Sequence, residues 1–131
     1  MDYKAGYSYV LHKDEVFKTN IIGYSFQTNF FSLTLVGILT IKAWYAWNGA
    51  NCFPDIPSVM RGSLAHDCGY QMINEGLLPM SEKPYIDQLL FDCCIEDGMP
   101  GFMANAVLEG VETFGAYYAD PSRQNPVLTA P

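Results

Sequence analysis

Residues 48–58 read NGANCFPDIPS, and the sequence changes its period on either side of them. Asn, Gly, Pro, Asp and Ser supply turn chemistry along the whole stretch. Upstream, ILTIKAWYAW (38–47) sets Ile38, Thr40, Lys42, Trp44 and Ala46 on one face and Leu39, Ile41, Ala43, Tyr45 and Trp47 on the other. Both faces are largely apolar, which predicts a single strand, central in its sheet or covered on both sides. Downstream, Val59, Gly62, Ser63, His66, Gly69, Tyr70 and Ile73 recur at helical spacing. Strands before this loop and helices after it predict an α+β fold. A small antiparallel sheet from the N-terminal half would pack with three α-helices from the C-terminal half. Asp55 or Ser58 is expected to cap the first helix.

Further upstream, Tyr7 to Leu11 has β-forming content, and Asp14 to Thr19 is expected to return as its short partner. Gly37, in LVGILT, predicts a tight turn or bulge between two strands. In the second half, a helix is expected from about Ser58 to Asn74, and EGLLPMSEKP connects it to the next. That helix starts near Ser81, carries an apolar stripe of Ile86, Leu89, Leu90 and Cys93, and stops at Gly98. Pro100 opens a third, with Met103, Ala106, Val107, Gly110, Val111, Phe114 and Tyr118 at the same spacing. Residues 1–118 thus read as one α+β domain, and 119–131 (ADPSRQNPVLTAP) as an extended arm.

Composition narrows the function classes. The chain has 131 residues, half of them apolar and 16% charged, as expected of one packed globule. Its formal net charge is −7, and its seven Lys and Arg never cluster. A nucleic-acid binder needs a basic footprint to displace counterions, so that class is disfavoured, as is docking on anionic lipid through basic patches. MDYKAGYSYV lacks the pattern of a signal peptide. The longest apolar stretch, FFSLTLVGIL (30–39), is about half of a membrane span. A soluble protein made in a cytoplasm is expected, with Cys52, Cys68, Cys93 and Cys94 as free, buried thiols. The spacing of Cys52, His66, Cys68 and Cys93 does not suit zinc.

Chemistry centres on RGSLAHDCGY (61–70). Gly62 and Gly69 lie one turn either side of His66; each costs about 1 kcal/mol of helix propensity relative to Ala, which close approach by another element would explain. If the first two helices pack antiparallel, Asp87 can point at His66. A carboxylate at one imidazole nitrogen fixes the tautomer and leaves the other nitrogen to deprotonate water. The same two residues serve equally as a satisfied polar pair tying two helices. Asp67 lies about 100° further round and would face the 48–58 loop, where a carboxylate beside loop carbonyls collects oxygen ligands for Ca²⁺. Cys68 and Cys94 lie near the dyad, but no cation is expected beside them to activate a thiol.

The H-D-C-G-Y stretch, with Asp87 twenty-one residues after His66, resembles the H-D-x-x-Y helix of secreted phospholipase A2 enzymes. That resemblance implies His66 as base, Asp87 as its partner and Tyr70 as a hydrogen-bond support for the dyad. It also implies Ca²⁺ held by Asp67, with Asn48 and Gly49 of the loop. From about Leu39 to Tyr118 the chain resembles a family of small phage and prophage proteins of unassigned function, through WNGAN, Pro54, HDCGY, IDQLLF and TFG (113–115). Asn48 stands where that family usually has Asp, and Asn51 where it has Ser. The resemblances imply a phage protein that hydrolyses membrane lipid esters during host entry or lysis. The alternative is a non-catalytic virion component of tail, baseplate or capsid that keeps the scaffold. Expected partners are other virion proteins or lipid, with a homo-oligomer in a particle, in the virion or the host cytoplasm.

Overall fold

The computed structural model describes residues 3–4, 9–47, 49 and 56–119, with side chains for 9–47, 49 and 56–113. The fold is α+β, with its strands in the N-terminal half and its three helices in the C-terminal half. The chain divides into two compact units at the boundary between Asn48 and Gly49.

The strand unit holds two antiparallel sheets. One has the order β1 (Tyr3–Lys4), β2 (Tyr9–Leu11), β7 (Ala46–Trp47), and the other β3 (Glu15–Lys18), β6 (Ile38–Ile41), β5 (Phe31–Leu33), β4 (Phe26–Gln27). Asp14 to Thr19 does contain a strand, but β3 pairs with β6, not with β2. The neighbours of β2 are β1 and β7, with Tyr9 opposite Trp47; Tyr7 and Ser8 lie outside the described residues. β6 is central, between β3 and β5, and its Leu39 and Ile41 are buried with Phe17, Phe31 and Leu33.

The expected long strand 38–47 is broken. Tyr45 donates its backbone N–H to the Lys42 carbonyl (3.2 Å), closing a turn whose third residue, Trp44, has φ 75°. The turn passes the chain from one sheet to the other, held by Trp44 N–H to the Leu11 carbonyl (2.6 Å) and Leu11 N–H to the Tyr45 carbonyl (2.9 Å). Strict alternation in the sequence hid this turn, because Trp at a positive-φ position is rare. Trp44 is 56% exposed, and its ring lies against that of the exposed His12.

Gly37 turns the chain between β5 and β6, as expected, at φ 89°. A Cβ there would sit 2.2 Å from the Thr19 carbonyl oxygen. Glycine therefore lets the Gly37 carbonyl accept from both the Thr19 N–H (2.9 Å) and the Thr19 hydroxyl (2.7 Å).

The helical unit begins with α1 (Pro57–Asn74), then a 3-10 turn (Met80–Glu82) that leads into α2 (Lys83–Glu96), then α3 (Gly101–Ala119). α1 starts one residue earlier than expected. Its N-cap is Ile56, with no side-chain cap, and Pro57 takes the first turn; Ser58 lies inside the helix, and Asp55 lies outside the described residues. Pro tolerates that position because its missing N–H would be unpaired there anyway. Gly98 follows α2 at φ 97°. In α3 the buried positions are Ala104 and Val107, whereas Ala106, expected on the stripe, is exposed. The side chains of Phe114 and Tyr118, and the arm from residue 120 onward, lie outside the described residues. Among the described residues no helix is long and apolar enough to cross a membrane.

Candidate functional site

Two glycines on α1 set how closely α2 can approach. A Cβ on Gly62 would come within 2.9 Å of Leu90 Cδ1 and 3.1 Å of the Leu90 carbonyl oxygen. One on Gly69 would lie 2.7 Å from Ile86 Cγ2. The start of α1 thus meets the end of α2 and the reverse, so the pair is antiparallel. Arg61 closes one end of it, donating to Glu96 (2.7 Å) and Asp97 (3.0 Å). Burial works against the Arg61 guanidinium, but those carboxylates more than offset it and push its pKa further up.

Between the glycines the helices bury a polar cluster. His66 Nε2 lies 2.8 Å from Asp87 Oδ1, and the Tyr70 hydroxyl donates to the same oxygen at 2.5 Å. Lys83 Nζ donates to Asp87 Oδ2 at 2.7 Å and reaches the Val111 carbonyl on α3 at 3.4 Å. His66 and Tyr70 sit one turn apart on α1, so their rings meet, with centroids 4.1 Å apart. The Asp87 side chain is 1% exposed and that of His66 8%. The carboxylate accordingly uses both oxygens. An unpaired buried polar atom costs about 1–3 kcal/mol, and no sealed side-chain nitrogen or oxygen among the described residues lacks a partner.

The network assigns the tautomer. Burial alone would push the Asp87 carboxyl up, but hydrogen bonds from His66, Lys83 and Tyr70 outweigh it and hold the group below its ordinary value. An ionised carboxylate only accepts, so the proton of neutral His66 resides on Nε2. Nδ1 then carries the lone pair. Burial also pulls the imidazole below its ordinary 6.5; the bond to Asp87 and its charge resist this, and the Lys83 charge adds to it. Burial, then the bond to Asp87, push the Tyr70 phenol well up. At neutral pH the cluster is an ionised carboxylate, an ammonium, a neutral imidazole and a phenol. Such an imidazole can take a proton at Nδ1.

His66, Asp87 and Tyr70 therefore come together in the structure. Lys83 is the member that the sequence reading missed, and its signal was present: it lies four residues before Asp87, the spacing that pairs opposite charges on one helix. Asp67 is half-buried on α1, and its charge acts on the Cys68 thiol and the Tyr70 phenol. Gly49 is buried at φ 80°, whereas Asn48 and residues 50–55 lie outside the described residues. No group of three His, Cys, Asp or Glu that could hold a metal occurs among the described residues. Calcium takes six to eight oxygens, and of the three expected ligands only Asp67 and Gly49 lie among the described residues.

Cys93 and Cys94 are free, buried thiols. A cation does stand near them, because the Arg61 charge acts on Cys93 and Cys94. Burial outweighs it and pushes both thiols up to about 11; burial raises Cys68 as well. The nucleophilic form is a thiolate, so these are packing groups.

Compared with protein-family models, curated proteins and solved structures, the chain matches none.

Proposed function

We propose that the chain is a hydrolase of membrane lipid esters, encoded by a phage, in which His66 is the base. Water gives a proton to His66 Nδ1 while its oxygen bonds to the ester carbonyl carbon. Collapse of the tetrahedral adduct breaks the carbon–oxygen ester bond, and the imidazolium returns the proton to the departing alkoxide. Asp87 and Tyr70 are positioning residues that fix the tautomer and the ring. One observation carries the reading: His66 Nε2, the Tyr70 hydroxyl and Lys83 Nζ converge on the buried Asp87 carboxylate, which leaves Nδ1 as the nitrogen not turned to it. The lipid substrate and the phage origin rest on the resemblance of HDCGY and Asp87 to secreted phospholipases A2 and of residues 39–118 to small phage proteins.

A second reading, a non-catalytic virion component, is favoured by Lys83. Its bonds to Asp87 and to the Val111 carbonyl tie α2 to α3, as a purely structural cluster would. Fatty-acid release from phosphatidylglycerol–phosphatidylethanolamine vesicles separates the two, with and without millimolar Ca²⁺. The hydrolase reading expects release by the wild type and none by a folded His66→Gln variant. A dependence on calcium that Asp67→Asn abolishes would add the metal to the site. No release under either condition from folded wild type sinks the hydrolase reading in favour of the virion component.

A further inference from the structure

At one end of the four-stranded sheet the chain exposes aliphatic side chains within a stretch that carries no charge. The turn 34–37 joins β5 to β6 and puts Leu35 and Val36 at its tip, 61% and 72% exposed. Gly23 donates its N–H to the Leu35 carbonyl (2.9 Å), so the segment carrying Ile22, 63% exposed, adjoins that tip. Neighbouring exposed apolar side chains mark a place of interaction. Residues 19–41 contain no Asp, Glu, Lys or Arg. The register of the sheet keeps acid away: Lys18 lies opposite Ile38 beside the tip, whereas Glu15 lies opposite Ile41, about 10 Å along the strand. Asp14, which accepts the Ala43 N–H, lies beyond Glu15. We infer that this tip is a lipid-docking surface, through which Ile22, Leu35 and Val36 enter the hydrocarbon of a zwitterionic bilayer.

Hydrocarbon offers no hydrogen bonds, so backbone that enters it is satisfied within the chain. The tip is built that way. The Thr34 carbonyl accepts the Gly37 N–H (2.9 Å), and the Gly37 carbonyl accepts the Thr19 N–H (2.9 Å) and hydroxyl (2.7 Å). Thr34 also bonds Ile38 twice at 3.1 Å: its N–H donates to the Ile38 carbonyl, and its hydroxyl accepts the Ile38 N–H. A protein partner would not require this, because it can supply hydrogen bonds of its own. Charge then selects the bilayer. Anionic headgroups repel a chain of net charge −7, and one lysine beside the tip is a small counterweight. Zwitterionic lipid carries no such penalty. Ile22, Leu35 and Val36 all lie outside the stretch 39–118 that resembles phage proteins. As a means of bringing an enzyme to its substrate, the surface rests on the hydrolase reading; the insertion itself does not.

The test is flotation of the full chain with vesicles of ether-linked phosphatidylcholine, which has no ester to hydrolyse. The wild type should float with them. The double variant Leu35→Asp, Val36→Asp changes two exposed turn positions, so its circular dichroism should be that of the wild type. It should bind about tenfold more weakly or worse. No binding by the wild type, or equal binding by the folded double variant, overturns the inference. Tighter binding to phosphatidylglycerol vesicles does the same, because it would assign docking to headgroup charge. Val36→Trp supplies a gain of signal in place of a loss. Its added emission should shift to the blue on vesicle addition and be quenched by chain-brominated phosphatidylcholine. Trp44, exposed beyond the far end of β6, should escape quenching in the wild type; if it is quenched and the new Trp is not, a different surface enters the bilayer. A wild-type dimer that the double variant dissociates, with no vesicle binding, gives the tip to a second copy and overturns the lipid assignment. Fatty-acid release is read separately. Its absence sinks the hydrolase reading and leaves docking standing, whereas release without flotation sinks docking alone.

Discussion

Both halves of the molecule bury a polar cluster beside a glycine, and the two clusters are built on opposite principles. In the strand half, Gly37 lets Thr19 close in, and every bond is made by uncharged groups with a backbone partner: hydroxyl to carbonyl, N–H to carbonyl, and the Ile21 N–H to the Thr19 hydroxyl. In the helical half, Gly62 and Gly69 bring α2 onto α1, and the cluster is made of side chains that can gain or lose a proton, among them His66, Asp87 and Tyr70. Backbone partners are present whatever the side chains do. A side-chain cluster fails as a unit when one member is lost, and it answers to pH. Only the second kind of cluster can do acid–base chemistry.

The largest effect should come from Asp87→Ala. It removes the acceptor of three bonds and leaves the Lys83 ammonium unpaired in a site where both partners are nearly covered. Breaking a buried pair from one side costs about 3–5 kcal/mol, to be read as a lower urea midpoint. Gly37→Ala comes next, because its methyl would meet backbone, at 2.2 Å, in a positive-φ conformation. Overpacking and left-handed strain together suggest roughly 2–4 kcal/mol. Gly69→Ala meets a side chain, Ile86, at 2.7 Å. Overpacking there is partly offset by better helix propensity, for a net of about 1–2 kcal/mol. Should Gly69→Ala prove as costly as Gly37→Ala, the α1–α2 seam is as unyielding as a β-turn. Thr19→Val should cost about 1–2 kcal/mol through the two bonds of its hydroxyl, read from the same urea curves.

The division of the chain into strands and helices was legible because the turn residues of 48–58 separate two periods. So was the His66–Asp87 meeting, since glycines one turn either side of His66 make sense only against a close neighbour. Two features were harder to read. The break at Trp44 is hidden, because its flanks alternate like one strand and its backbone violates the preference of its own residue type. The partner of β3 escapes the sequence for a related reason: local sequence favours pairing with the nearest strand, whereas β3 pairs with β6, much further along the chain. Lys83 is legible in spacing but not in significance, because a Lys four residues from an Asp is common on solvated helix faces. What distinguishes this one is burial, which sequence spacing does not carry.

The finest distinction between the two clusters is their response to acid. Folding lowers the pKa of His66 below its ordinary 6.5, so on acidification the unfolded chain takes up the proton first. Stability is then full above the unfolded pKa and falls as pH drops through the window between the unfolded and folded values. Asp87, also lowered, adds a separate loss only below its ordinary 3.8. Tyr70, raised from 10.0, takes stability away only above that value, as the unfolded phenol ionises. The His66 window therefore stands alone in mildly acid solution, with a slope bounded by one proton, about 1.4 kcal/mol per pH unit. Urea unfolding at about pH 8 and about pH 5, followed by far-ultraviolet circular dichroism, should show the gap between wild type and His66→Gln narrowing with acid. The gap between wild type and Thr19→Val should not change, because no group in that cluster titrates. A His66→Gln gap of constant size would mean that the buried imidazole accepts its proton as readily as a free one, and the contrast between the clusters would reduce to geometry alone.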